Sequence, residues 1–397
     1  MGAPLLHILG AGQWQVPSIR LAKEMGLRVL VTDPYEDRPG YAFADLRERI
    51  DVADREATLQ AARRHGIDGI VCDTTDIGVP TAAYVAERLG LPGIGLETAL
   101  NFTDKHRMRK RLLESGVVTD VKFRAAGSPE EASAAARAFG LPVVVKPADN
   151  QSSRGVRIVN READIAAAFL HAAAASRTSS VLVEEFIPGT EATVESICVG
   201  GVVQVLGISD KAKFPGRPEV ARRLTYPAGF APVVMARIEQ LNRDVVRALG
   251  LRDGVCHAEF MVDGADVRLV EIAARGGGSR IHSHIAPWLS GLSIPKMVLE
   301  MALGRSIQVA PARLRRAANL SFPMLPAGRV RSIAGLDEAR ALPGVAEFLL
   351  EFAPGDRIAP PEDDRSRPAL LLVLGEKRDE VLATAEAAER MLRVEVE

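Results

Sequence analysis

Two glutamates, Glu259 and Glu271, carry the first chemical signal in the chain. They lie in residues 255–280, V-C-H-A-E-F-M-V-D-G-A-D-V-R-L-V-E-I-A-A-R-G-G-G-S-R, where two apolar runs flank the turn signal Asp263-Gly264. That pattern predicts a β-hairpin. With a three-residue loop of Gly264, Ala265 and Asp266, Asp263 pairs with Val267 and Glu259 falls opposite Glu271. Side-chain alternation then sets both glutamates on one face with Val255, Met261, Val267 and Leu269. The other face carries Ala258, Phe260, Val262, Val270 and Ile272, and apolar residues on both faces predict central, buried strands. Opposed carboxylates roughly 5 Å apart at Cβ repel each other. Burying them unpaired is costly, so a cation is expected between them. Oxygen donors without cysteine favour Mg²⁺ or Mn²⁺ shared with substrate phosphates. The competing reading, two solvated glutamates on an edge hairpin, stays open on these residues alone.

The elements that must position this pair follow from the rest of the chain. Its 397 residues and net charge of −1 predict two or three domains. That balance argues against nucleic acid or an anionic membrane as partner. No apolar run reaches the roughly 18 residues of a membrane helix, and the N-terminus lacks the basic flank of a secretory signal. Cys72, Cys198 and Cys256 form no metal spacing and give no reason to expect disulfides, so a cytoplasmic location is expected. The alanine-rich run 163–175 reads as a helix with a small-residue face.

A short apolar strand over 5–9 ends in Gly10-Ala11-Gly12. A helix follows with Val16, Ile19, Ala22 and Met25 on one stripe, then Gly26 and a strand over 29–31 ending at Asp33. This is a βαβ unit, hence a parallel sheet. The alternation continues through 50–52, a helix around Leu59, 70–71 and a helix around Val85. Gly26, Gly66, Gly90, Gly140 and Gly250, each followed by Leu or Ile, sit where a helix needs a left-handed closing residue. Gly10-Ala11-Gly12 lacks the third glycine of a dinucleotide fingerprint, because Gln15 stands in its place. The turn therefore reads as a phosphate- or substrate-facing loop.

A boundary is expected near Gly116, after a helical stretch over 103–114. A buried strand over 141–145 ends in Lys146-Pro147. The polar, donor-rich segment Asn150-Gln151-Ser152-Ser153-Arg154-Gly155 then leads into a strand over 156–159. Backbone N–H groups, hydroxyls and a lysine at the base suit a polyphosphate; an ordinary hairpin loop is the competing reading. The strand over 181–183 runs into Glu184-Glu185-Phe186-Ile187-Pro188-Gly189-Thr190-Glu191, which reads as a hinge, or else as a plain strand end with solvated glutamates.

Taken in order, these segments resemble the ATP-grasp superfamily of carboxylate–amine (or carboxylate–thiol) ligases, over essentially the whole chain. The resemblance implies an α/β fold with an N-terminal Rossmann-like domain over 1–116, a small lid over 117–187 and a large catalytic α+β unit with its C-terminal extension over 188–397. It implies ATP and Mg²⁺, one ion or two, with Mn²⁺ as a substitute. Lys146 resembles the strand-end lysine that contacts the α-phosphate and adenine, and Lys105 the lysine that closes the first domain onto the phosphates. Ser152, Ser153 and Gly155 match the phosphate loop, which carries one glycine where many members have several. Glu184 matches the residue beside the adenine amino group. Phe186 and Ile187 match the hinge backbone at the base edge, and Glu191 the carboxylate on the ribose hydroxyls. Glu259 and Glu271 match the metal ligands. Ala273 stands where many relatives place an asparagine, which implies fewer protein ligands for one ion.

The chemistry explains these residue types. Attack of a carboxylate on the γ-phosphoryl of ATP makes an acyl phosphate, which an amine displaces; lysines and metal neutralise the transferring phosphoryl. A cation near the acyl carbon stabilises the tetrahedral oxyanion. Arg275 is the candidate, with Lys146 and Lys211 as further catalytic cations. Gly276, Gly277 and Gly278 allow backbone N–H groups to point at an anion and leave room for substrate. His282 and His284 form an H-x-H pair that reads as substrate contact or packing before zinc, which lacks a third ligand. The chain is most similar to L-amino-acid ligases of bacilysin-type dipeptide synthesis, through Gly10-Ala11-Gly12-Gln13, Asp210-Lys211-Ala212-Lys213, Tyr226-Pro227-Ala228 and residues 271–278. The expected partners are a small carboxylate, an amine and, as in many relatives, a second copy in a homodimer. Arg222-Arg223 departs from the family, which often has an acidic residue with Gly-His there. The pair reads as a site for a second anionic group on a substrate, or as a solvated loop face. A bicarbonate-using carboxylase, a nicotinamide enzyme and a non-catalytic nucleotide-binding module are the alternatives.

Overall fold

A computed structural model describes residues 2–117, 121–309 and 316–397 of the chain. The fold is mixed α/β. The first strands, Leu5–Leu9, Arg28–Asp33, Leu46–Arg49 and Gly69–Val71, form a parallel sheet in the order third, second, first, fourth. The third strand lies earlier than residues 50–52. Leu46–Arg49 is half exposed at the sheet edge, where charged residues belong, whereas Val52 leaves the sheet and packs near Leu59. Gly66, Gly90 and Gly250 close helices in the left-handed conformation. Gly140 has a positive φ of 83° but an extended ψ of 148°, so it ends its helix by opening directly toward the next strand.

The stretch 103–114 is not one helix. Leu96–Thr103 stops at Asp104, whose carboxylate accepts from the Arg107 N–H at 3.0 Å and starts Lys105–Glu114. Met108 and Leu112 of the second helix are buried in the core beneath the large sheet.

A four-stranded sheet follows, ordered Phe123–Ala126, Val181–Glu185, Val143–Pro147, Arg157–Val159, with every pairing antiparallel. Helices Pro129–Phe139 and Ile165–Ala175 cover one face through Ala132, Ala135, Ala136, Ala168 and Ala172, whose small side chains let helix and sheet approach closely.

The remaining chain builds an eight-stranded antiparallel sheet. Its order is Asp266–Ala273, Gly254–Asp263, Thr190–Val199, Val202–Phe214, Arg217–Tyr226, Ala317–Ser321, Ala369–Gly375, Val345–Leu350. Helix Pro232–Leu249 packs on one face by its apolar stripe Val234, Ile238, Val245, Val246 and Leu249.

The glutamate hairpin differs from expectation in three ways. Its loop is Gly264-Ala265, so Asp263 pairs with Asp266 and Val262 with Val267. A β-bulge between Glu259 and Phe260 then inserts Val270 and restores Glu259 opposite Glu271. The bulge also exchanges faces: Val267 and Leu269 pack in the core with Phe260 and Val262, while Val270 lines the cavity beside Glu271. Finally, Asp266–Ala273 is an edge strand, not a central one. Its outer edge is covered by Arg109, whose guanidinium donates to the Leu269 and Val270 carbonyls at 2.7 and 3.0 Å.

Candidate active site between the lid sheet and the large sheet

A cavity of about 400 Å³ lies between these two sheets. On the side of the four-stranded antiparallel sheet, Val144 pairs with Glu184, which places Lys146 and Glu184 on adjacent strands. Lys146 Nζ lies 2.7 Å from Glu184, and Arg109 Nε reaches the same carboxylate at 2.8 Å; all three are buried. Burial pushes the Glu184 carboxyl up, but two adjacent cations overcome it and hold it at about 2. Lys146 is held below the lysine range, because burial together with Arg109 and Lys105 outweighs its one carboxylate.

On the opposite wall, Lys211 pairs in register with Glu191, and Glu259 with both Thr193 and Glu271. Lys211 Nζ bonds Glu191 and stands 2.6 Å from Glu259; Lys213 takes the other oxygen of Glu191 at 2.5 Å. Burial disfavours the Lys211 charge, yet Glu191 and Glu259 raise its pKa above the ordinary value. Lys105 bridges Glu271 at 2.9 Å and the Asn150 carbonyl at 2.6 Å, tying the first helices to the loop 150–155. Ser152 and Ser153 line the cavity in the left-handed region, at φ 60° and 59°. Phe186 and Ile187 line it at the crossing from lid to large sheet.

Arg275 is buried and lines the cavity. Asp76, from the first domain, takes its Nε at 2.6 Å and its Nη2 at 3.3 Å. Gly276 donates to the Asp73 carbonyl at 2.9 Å, and a methyl group there would overlap the His282 ring. Gly277 has Ile281 and His257 within 2.9 Å of where a side chain would begin, so close packing dictates both glycines. Gly278 lines the cavity with no such crowding. His282 is 2 % exposed and its Nε2 has no hydrogen-bond partner among the described residues. His284 bonds Ser283 at 2.8 Å and does not line the cavity.

Arg222 and Arg223 do not line the cavity. They pair with Glu389 at 3.1 Å and Glu386 at 3.7 Å, on helix Arg378–Met391. The flanking Ala221 and Leu224 line it instead.

Several residues of the cavity wall, or directly behind it, escaped the sequence reading. Arg109 and Asp76 hold the groups just described. His257 bonds Glu195 at 2.5 Å, which raises its pKa to about 9 against the effect of burial. Asp364 and Arg367 arrive from the C-terminal extension. A spacing signal existed for Arg109 alone: it stands one helical turn after Lys105, on the stripe with Met108 and Leu112.

The donors fit a hard divalent cation. Glu259 and Glu271 present oxygens from opposed positions on the same cavity wall. Among the described residues no group of three His, Cys, Asp or Glu side chains could hold an ion, so phosphate and water oxygens would complete its shell. A second cavity of about 410 Å³ contains no lysine and is walled mainly by aliphatic residues such as Ile70, Val79, Ile94 and Val298. Among the described residues its cations are Arg275, shared with the first cavity, and Arg305.

Comparison with known proteins agrees with this geometry. Residues 139–283 match the ATP-grasp domain, and residues 321–397 match the L-amino acid ligase C-terminal domain 2. The chain has the ATP-grasp fold and carries an ATP-grasp domain followed by an L-amino acid ligase C-terminal domain. An L-amino acid ligase from Bacillus licheniformis superposes with a TM-score of 0.84 at 23% identity, covering 100% of both chains. A phosphoribosylglycinamide synthetase from Anaerococcus prevotii gives 0.78 at 19% identity, again over 100% of both. In sequence, a formate-dependent phosphoribosylglycinamide formyltransferase of Chlorobaculum tepidum is 28% identical over 356 residues, 85% of this chain and 86% of that protein. No helix among the described residues is long and apolar enough to cross a membrane.

Proposed function

We propose that the cavity binds ATP and that the protein joins an amino acid or other small carboxylic acid to an amine, making an amide through an acyl phosphate. One observation carries this reading: the opposed Glu259 and Glu271 share their wall with Lys105, Lys211 and Arg275. The carboxylate oxygen of the acid attacks the γ-phosphorus and the bond to the β-phosphate oxygen breaks, releasing ADP. The amine nitrogen then attacks the acyl carbon, phosphate leaves, and the nitrogen gives its surplus proton to solvent. Lys146 and Lys105 neutralise phosphate oxygens during transfer. Lys211 does the same from the opposite wall once nucleotide takes its place beside Glu259. Arg275, held by Asp76, faces the developing oxyanion. Mg²⁺ (Mn²⁺ as substitute) held by Glu259 and Glu271 supplies charge neutralisation at the phosphates. Residues 1–116, 117–187 and 188–397 form the division of labour in this reading: first domain, lid and catalytic unit, with the protein acting as a homodimer on small molecules alone.

The C-terminal domain match favours an amino-acid substrate; the sequence relatives favour formate. Phosphate release should be measured with ATP and Mg²⁺ over a matrix of amino acids, formate and bicarbonate against amines, with product masses read in parallel. Phosphate that appears only with an amino acid, together with a product of acid plus amine minus water, supports the dipeptide-type reading. Turnover with formate or bicarbonate alone reassigns the acid. ATP turnover indifferent to every acid overturns the ligase.

A further inference from the structure

We propose that Asp364, in the C-terminal extension, is a positioning residue for the nucleotide, holding the loop 150–155 down over the cavity. The inference rests on the reading of that cavity as the ATP site. Asp364 lies on a segment without regular secondary structure, 143 residues beyond Ala221, yet it lines the same cavity as Lys211 and Glu259. Its backbone N–H donates to the Ser152 carbonyl at 3.2 Å. Its carboxylate accepts from the Ala221 N–H at 2.9 Å and lies 3.4 Å from Ser153 Oγ, whose shorter bond goes to the Glu219 carbonyl at 2.8 Å. Arg367 Nη1 secures the same carboxylate at 3.0 Å and also donates to the Ala221 carbonyl at 3.1 Å. The Arg367 guanidinium lies over the Phe322 ring, 3.4 Å from its centroid.

The turn bearing Asp364 is organised independently of the loop. Asp363 accepts from the Arg365 and Ser366 N–H groups at 2.8 and 3.0 Å, and Ser366 Oγ accepts from the Glu362 N–H at 2.8 Å. Asp364 is therefore a fixed point, and the loop is the part that needs fixing. Ser152 and Ser153 both occupy the left-handed region, unfavourable for residues other than glycine. At its other end the loop is tied to the first domain, where Gln151 accepts from the Asp76 N–H at 2.8 Å. The donor-rich loop thus spans the cavity between two anchors, one next to the partner of Arg275 and one on Asp364. A loop whose backbone must meet phosphate oxygens binds them better when its conformation is set beforehand.

Asp364→Ala, Asp364→Asn, Ser153→Ala and the double variant Ser153→Ala/Asp364→Ala should be compared for ATP binding in the presence of Mg²⁺, for KM and kcat, and for tryptic cleavage after Arg154. Asp364→Ala is expected to raise the Kd and KM for ATP about tenfold, with kcat at saturating ATP changed less than about threefold, and to speed cleavage at Arg154. Asp364→Asn should recover part of the affinity, because its amide oxygen still accepts from Ala221. Ser153→Ala also removes the bond to Glu219, so the double variant should bind ATP less tightly than Asp364→Ala, but by less than the two single effects combined. Affinity for ATP within about twofold of wild type, or strictly additive single effects, overturns the proposal. Should Asp364→Ala not fold, Asp364→Asn decides: weaker ATP binding and faster cleavage at Arg154 support the anchor, and unchanged values reject it. Binding titrations need no turnover. A protein that binds ATP but joins no acid to any amine therefore loses the ligase reading and not this one, whereas normal turnover with unaltered ATP affinity in the variants removes this one alone.

Discussion

Glu259 and Glu271 face each other across the hairpin, and each already holds a lysine, Lys211 at 2.6 Å and Lys105 at 2.9 Å. Two like charges tolerate that register because two ammonium groups arrive from other elements, one from strand Val202–Phe214, two places along the sheet from Glu259, and one from helix Lys105–Glu114. Glu271→Gln keeps the shape and removes the charge. It should lower kcat at least about a hundredfold at saturating ATP, and higher Mg²⁺ concentrations should recover little. Phosphate release against Mg²⁺ concentration checks this; wild-type rates would remove Glu271 from the reacting site.

Arg109 links the lid to the edge of the large sheet through Glu184, Leu269 and Val270. Arg109→Met leaves two edge carbonyls without their donor and Glu184 with one cation in place of two. Loss of stability should be on the order of 3–5 kcal/mol, the usual cost of breaking a buried pair from one side. Adding Glu184→Gln should return part of it. Urea denaturation of the two variants gives the comparison, and a double variant less stable than Arg109→Met would contradict the pairing.

His7 is fully buried on the first strand, with Nε2 3.1 Å from Thr32 Oγ1 and Nδ1 without a partner among the described residues. Burial lowers its pKa from 6.5 to about 3. The sign follows: the folded protein resists protonation, so the stability is full above pH 6.5 and falls as the solution is acidified toward pH 3. By pH 5 the loss is about 2 kcal/mol from this one group. His7→Leu should flatten the change in unfolding free energy between pH 7.5 and pH 5 by that amount, read from urea denaturation at the two pH values.

Arg222 and Arg223 meet glutamates of the last long helix outside the cavity. Arg222→Ala and Arg223→Ala should therefore change the KM of acidic and neutral substrates equally, within about twofold. A loss confined to acidic substrates would return the pair to the substrate site.

What the sequence disclosed depended on local regularity. The opposition of the two glutamates was legible because strand alternation has a short, strict period, yet it was reached by two errors that cancel. The loop is one residue shorter than expected and the bulge at Val270 one residue longer. The faces of Val267, Leu269 and Val270 were consequently misjudged, since no local signal marks a bulge. Arg109 was hidden within the basic run Lys105 to Arg111, which resembles a solvated helix until the fold buries one side. Asp364 was beyond reach for a different reason: its partners, Ser152, Ser153 and Ala221, are distant in sequence, and nothing in its own turn names them.

Lys105, Lys146, Lys211 and Lys213 each rest against a carboxylate, so the cavity mouth casts little net field toward approaching solutes. Encounter with a polyanion then depends on diffusion and shape, and added salt should scarcely alter the association rate, unlike that of an open cationic cleft. Selection happens after arrival. A molecule that offers oxygens to the ammonium groups and a counter-ion to the carboxylates can exchange into every pair at once, while a simple anion satisfies only half of each and is left competing with the protein's own charges.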